Sequence, residues 1–277
     1  MKRTVFIVSD GTGITAETVG RALLSHFAYA IDFQYTTVPY VDTVEKAQRL
    51  RARIDAAAAL TDAQPLVIST IVNAEVRETI FASQSFHVDV LSTFLTPLEQ
   101  ELATPSSLQV GKHQSIAQDI HYQVRINAVH FALENDDGAR VRDYDAADVI
   151  LVGVSRCGKT PTCLYLGMQF GIKAANYPIT EDDLQELVLP EPLRNQRTKL
   201  YGLTIEPDHL AAIRTERRPG SQYASLRQCE EELRNAEAMF RRFGIPVIDT
   251  THYSVEEIST RILNDMQLER RDHALQS

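Results

Sequence analysis

The sequence predicts an α/β protein of two domains, each built around a mainly parallel sheet. Three observations carry this. Short β-branched runs alternate with helix-length amphipathic segments along the chain. Two of those runs, Thr4–Ser9 and Asp148–Val154, lead through glycine-containing turns into helices, so the βα pattern begins twice. A length of 277 residues with 44% apolar side chains supports one large core or two ordinary ones. The second start puts the boundary near residue 140, giving domains of 1–140 and 141–277.

In the first domain, TVFIVS at 4–9 reads as a buried strand, and a turn at Asp10–Gly13 opens a helix from about Thr15 to Phe27. Ile31–Tyr40 reads as the second strand and Val44–Leu60 as an Ala/Arg-rich helix. Pro65–Ile71 is the third strand, with helical patterning from Ala74 to Ala82. Helix-length crossovers between strands require parallel pairing, so this domain is expected to be Rossmann-like. Leu102–Gln118, with Pro105 and Gly111, reads as a loop. A helix from about Tyr122 to Glu134 then ends at the turn signal Asn135-Asp136-Asp137-Gly138.

In the second domain, Asp148–Val154 is a strand and Lys159–Phe170 a helix closed by Gly171. Ile172–Tyr177 and Lys199–Ile205 are further strands. Pro207 opens a helix to about Arg218, and a charged helix spans Leu226–Phe243 before Gly244 and Pro246. Val247–Asp249 is the last strand, and Ser254-Val255-Glu256-Glu257 is a capping box that starts the final helix.

Charge narrows the function. The 28 basic residues stand against 37 acidic ones, a net charge of −9. Both halves share the deficit, with 11 basic against 16 acidic up to residue 140 and 17 against 21 after it. Neither half is a general nucleic-acid or anionic-membrane surface. No apolar run approaches the ~18 residues of a membrane span, and the opening residues lack a signal-peptide core, so a cytoplasmic location is expected. Cys157, Cys163 and Cys229 are too few for a disulfide framework.

The chemistry concentrates at Gly153-Val154-Ser155-Arg156-Cys157-Gly158-Lys159-Thr160, which fits the P-loop pattern G-x-x-x-x-G-K-[ST]. Gly153 and Gly158 let the backbone curl so that its N–H groups face phosphate oxygens. Lys159 supplies positive charge for the terminal phosphate, and the Thr160 hydroxyl can ligate Mg²⁺. The helix that follows adds the positive end of its dipole. At this chain's Gly, Lys and Ser/Thr frequencies a chance match is about 1 in 700, and the strand before and helix after are also present. The second domain is therefore expected to be P-loop kinase-like, with Lys159 as the catalytic residue and the loop as the nucleotide site.

From the loop onward, GVSRCGKTPTCLYLGMQFGIKAANYPI resembles the corresponding segment of the bacterial phosphoenolpyruvate synthase regulatory proteins, relatives of the pyruvate, phosphate dikinase regulatory protein. The resemblance extends to VSDGTGITAETVGRALLSHF, RINAVHFALENDDG, LYGLTIEPDHLAAIRTERR, YASLRQCEEEL and YSVEEIS, in family order over nearly the whole chain. It implies a bifunctional serine/threonine-protein kinase and phosphorylase. Such a protein uses ADP to phosphorylate a threonine of phosphoenolpyruvate synthase, inactivating it. Inorganic phosphate then removes that group and releases pyrophosphate. The resemblance also implies a homodimer. Two other classes fit the loop by itself: a nucleotide-gated binding protein without catalysis, and a small-metabolite kinase.

Other segments offer weaker candidates. Gly11-Thr12-Gly13-Ile14-Thr15-Ala16 has the G-x-G-x-x-A form of a dinucleotide turn, but no acid ends the next strand. A phosphate contact by Ser9–Thr12 fits that turn better, and Asp10 is a candidate base. Arg214, Arg217 and Arg218 share one helical face and are placed to meet a transferring phosphoryl group. Asp249, with Glu206 as competitor, ends a strand where a magnesium-binding acid is expected. Cys157 at a helix start is expected to be reactive. The eight histidines show no metal-ligand spacing.

Overall fold

The computed structural model describes residues 2–60, 63–107, 116–186, 188–269 and 271. It divides into two compact units, Met1–His113 and Gln114–Ser277.

The first unit runs β1 (Lys2–Val8), α1 (Ile14–Ser25), β2 (Asp32–Val38), α2 (Val44–Ala59), β3 (Leu66–Ser69), α3 (Ala74–Phe81), β4 (Phe86–Asp89) and α4 (Val90–Leu102). All strand pairs are parallel, in the order β2-β1-β3-β4. Alternation along β1 splits the core in two. Phe6 and Val8 pack with Leu50, Ile54 and Ile80 of α2 and α3, whereas Val5 and Ile7 pack with Ala16 of α1 and Val90 of α4. Such two-faced burial is why TVFIVS reads as a continuous apolar run. The sequence pattern does not predict the last strand and helix. β4 has four residues and passes without a turn into α4, where Asp89 is both strand end and N-cap, accepting from Ser92 N–H at 3.0 Å.

The second unit begins with α5 (Ile116–Glu134), followed by β5 (Val149–Gly153), α6 (Lys159–Phe170), β6 (Ala174–Pro178), α7 (Glu181–Glu186) and β7 (Leu200–Thr204). It closes with α8 (Pro207–Arg217), α9 (Leu226–Phe243), β8 (Val247–Asp249) and α10 (Val255–Asp265). Its sheet is also parallel, in the order β6-β5-β7-β8. The expected boundary at residue 140 moves toward the N-terminus, because α5 belongs to this unit. A methyl at Gly167 of α6 would stand 3.1 Å from the backbone of Ala128 and Val129, so the two helices cross at backbone distance. The expected loop over Leu102–Gln118 contains the end of α4 and the start of α5, and its residues 108–115 lie outside the described ones.

Candidate functional site

The central strands β1 and β5 each pair with the next strand on one side and the one after on the other. The C-terminal ends of β5 and β7 therefore border a crevice where the chain reverses its winding. The loop from Gly153 to Gly158 lies there. A Cβ at Gly153 would meet the Leu203 carbonyl at 2.6 Å and Cys157 Sγ at 2.7 Å, so only glycine lets the loop close against β7. Gly158 caps α6 at φ 94° with no side-chain cap, leaving the first N–H groups of the helix for a ligand.

Lys159 is buried, and its Nζ donates to the carbonyls of Gly153 (3.0 Å) and Val154 (2.8 Å). The Thr160 hydroxyl donates to Asp136 Oδ1 at 2.7 Å. Asp136 belongs to the Asn135–Gly138 turn that follows α5. The fully buried Asn176 of β6 fixes that turn, donating to Asp136 Oδ1 (2.6 Å) and accepting from Asp137 N–H (3.0 Å). A cavity of about 250 Å³ opens over the loop, lined by Asp137, Ser155, Arg156, Lys159, Thr160 and Arg217.

Behind the loop lies Arg214, with no solvent exposure. Its Nε and Nη2 donate to the Ser155 carbonyl (3.3 and 3.1 Å), its Nη1 to the Tyr223 carbonyl (3.0 Å), and its Nη2 to Glu232 Oε2 (2.7 Å). The guanidinium lies 4.1 Å from the Tyr223 ring centroid, and the Tyr223 hydroxyl donates to Ser155 Oγ at 2.9 Å. Burial works against the Arg214 charge, but the Glu232 carboxylate outweighs it and holds the pKa above the ordinary arginine value. On the other side, the Thr250 hydroxyl donates to the Cys157 carbonyl at 3.3 Å.

The kinase/pyrophosphorylase family profile matches residues 5–263. The chain belongs to this family. It is 57% identical over 271 residues to a protein of Pseudomonas savastanoi pv. phaseolicola, covering 98% of this chain and 99% of that relative. Proteins of Ectopseudomonas mendocina and Pseudomonas putida match to the same extent. All three carry the name "Putative phosphoenolpyruvate synthase regulatory protein".

In this member of the family, several expected site residues take other positions. The arginine face divides: Arg214 is a buried brace, Arg217 lines the cavity, and Arg218 lies exposed at the end of α8. Asp249 accepts from Thr251 N–H (2.8 Å) and the Thr251 hydroxyl (2.5 Å), which is turn chemistry. Glu206 is exposed, 3.8 Å from His252 Nε2. The acid beside Thr160 is Asp136, whose segment read only as a turn. Cys157 is buried, against the expectation of a reactive thiol; burial pushes its thiol up, with Lys159 opposing. In the first unit, Ser9 Oγ accepts from Gly11 N–H and from the Thr70 hydroxyl, both at 3.1 Å, and Asp10 accepts from Val72 N–H at 2.8 Å. Among the described residues no group of three His, Cys, Asp or Glu is placed to hold a metal, and His113 and His273 lie outside them.

Two outcomes follow from this geometry. Arg214→Ala leaves the Glu232 carboxylate without its cation, a loss of about 3–5 kcal/mol for a broken buried pair. Thermal unfolding should fall by roughly 10 °C, and an unchanged melting temperature would contradict the brace. Native protein at pH 8 should alkylate at Cys157 far more slowly than an exposed thiol, because the raised pKa and burial both suppress thiolate. Mass spectrometry after iodoacetamide checks this, and rapid native labelling would contradict it.

Proposed function

We propose that the chain is an ADP-dependent protein-threonine kinase and a phosphate-dependent pyrophosphorylase acting on phosphoenolpyruvate synthase. Family membership and the relatives' names support the reaction class and the target. The observation that carries the site is the convergence of Lys159, Thr160 and Asp136 on the strand–loop–helix turn of β5 and α6. The proposed setting is the cytoplasm; no helix among the described residues is long and apolar enough to cross a membrane. A homodimer is part of the same proposal.

The loop's N–H groups and the start of α6 hold a phosphate of ADP. The Lys159 ammonium sits at the loop, ready to exchange its carbonyl partners for phosphate oxygens and offset charge on the moving group. Thr160, which lines the cavity, and Asp136 behind it place two hard oxygen atoms together, a donor set that suits Mg²⁺. They would hold the ion, which supplies charge neutralisation for the phosphates when bound.

Incubation with phosphoenolpyruvate synthase and ADP labelled in its β-phosphate should place the label on a threonine of the synthase. Label on a small metabolite, or none, would overturn the reading. Lys159→Met keeps an unbranched stem and should fold normally, yet lose about 10²-fold or more of kinase rate. Asp136→Asn should raise the Mg²⁺ concentration for half-maximal rate about 10-fold or more, while metal-free ADP binding, measured by calorimetry, stays the same.

A further inference from the structure

Two cations stand at the mouth of the cavity over the loop. Arg156 and Arg217 both line the cavity, both are exposed, and neither makes an ion pair among the described residues. With Asp137 and Lys159 they give the charged lining two positive charges in excess, which matches a dianionic phosphoryl group. Arg156 holds φ at 78°, in the left-handed region that non-glycine residues rarely occupy. Neighbouring carbonyls keep it there: Arg214 fixes that of Ser155, and Thr250 that of Cys157. Such outliers persist where the surroundings over-determine them, and they cluster at ligand sites. Arg217 lies three residues beyond Arg214 on α8, so the same brace that shapes the loop sets Arg217 beside it.

We propose that Arg156 and Arg217 form a second phosphate subsite at the mouth of the cradle, holding the phosphoryl group in transit between nucleotide and threonine. This rests on the nucleotide reading of the cradle given above. Planar guanidinium forks suit the oxygens of a phosphoryl group better than an ammonium does. In the forward direction the bond between the bridging oxygen and the β-phosphorus breaks and the threonine Oγ–P bond forms. AMP leaves, and the hydroxyl proton passes to solvent. In reverse, an oxygen of inorganic phosphate bonds to that phosphorus and the Oγ–P bond breaks. The threonine oxygen takes the proton of the attacking phosphate, and pyrophosphate leaves. In both directions the moving phosphorus sits at the arginine pair, while the cradle holds either the AMP phosphate or inorganic phosphate.

The subsite separates ligands by phosphate count, so binding tests it without the protein substrate. AMP places its one phosphate in the cradle; ADP and pyrophosphate also reach the arginines. Calorimetric titration of the full chain with each ligand and Mg²⁺ should show that Arg156→Gln and Arg217→Gln each weaken ADP and pyrophosphate about 10-fold or more. AMP affinity should stay within about threefold, and Arg217→Lys, which keeps charge but loses the fork, should fall between. Both side chains are exposed, so melting temperatures should match the parent. An unchanged preference for ADP over AMP in both glutamine variants would overturn the subsite. Failure of the cradle reading looks different: the parent binds none of the three, or Lys159→Met binds all three as tightly as the parent does.

Discussion

A full positive charge lies without solvent contact behind the glycine loop that follows β5, and the loop's shape depends on it. Moving such a group out of water costs several kcal/mol unless its hydrogen bonds and countercharge are supplied. Arg214 has them all: two main-chain carbonyls, the Glu232 carboxylate, the Tyr223 ring and a longer contact to Cys229 Sγ at 3.8 Å. Because one of those carbonyls is that of Ser155, the loop, α8, α9 and the turn between these helices are joined at a single guanidinium. A surface arginine could not do this, since water would compete for every donor and screen the Glu232 charge.

The two units share one plan and put it to different use. Each has a central strand whose neighbours are added first on one side and then on the other, and each follows that strand with a glycine at positive φ capping a helix: Gly13 at 84° and Gly158 at 94°. In the second unit the turn is lined by cations and opens to a cavity. In the first unit Ser9 Oγ instead accepts from Gly11 N–H and from the Thr70 hydroxyl after β3, and Asp10 holds the loop after Thr70. The shared frame supplies backbone N–H groups at a crevice. What they can bind is decided by the side chains around them.

Much of the fold was legible because its signals are local. α9 and β8 are legible to the residue: Ser225 caps α9, Gly244 ends it at φ 65°, and Pro246 prevents its continuation. The capping box at Ser254 and Glu257 forms as its spacing indicates. β4 is not legible in the sequence because four residues at a sheet edge carry too little periodicity. The sequence pattern places α5 in the first unit, because nothing in the helix's own residues states that Gly167 of α6, more than thirty residues on, receives it.

By itself the sequence determined the strand, glycine turn and helix start around residues 149–160, since the apolar run, the two glycines and the first helical residues are contiguous. Only the tertiary structure decided which distant groups complete them. Asp136 reaches Thr160 from the turn after α5 because Asn176 of β6 holds that turn in place. Arg214 and Arg217 stand only about 60° apart around α8, yet α9 covers one and leaves the other at the cavity. Cys157 has the helix start that favours a thiolate, but β7 and the loop exclude the water that would stabilise it. A residue's type and spacing are written locally, whereas its solvent exposure and its partners are set by segments far away in the chain, and charge and reactivity follow from those.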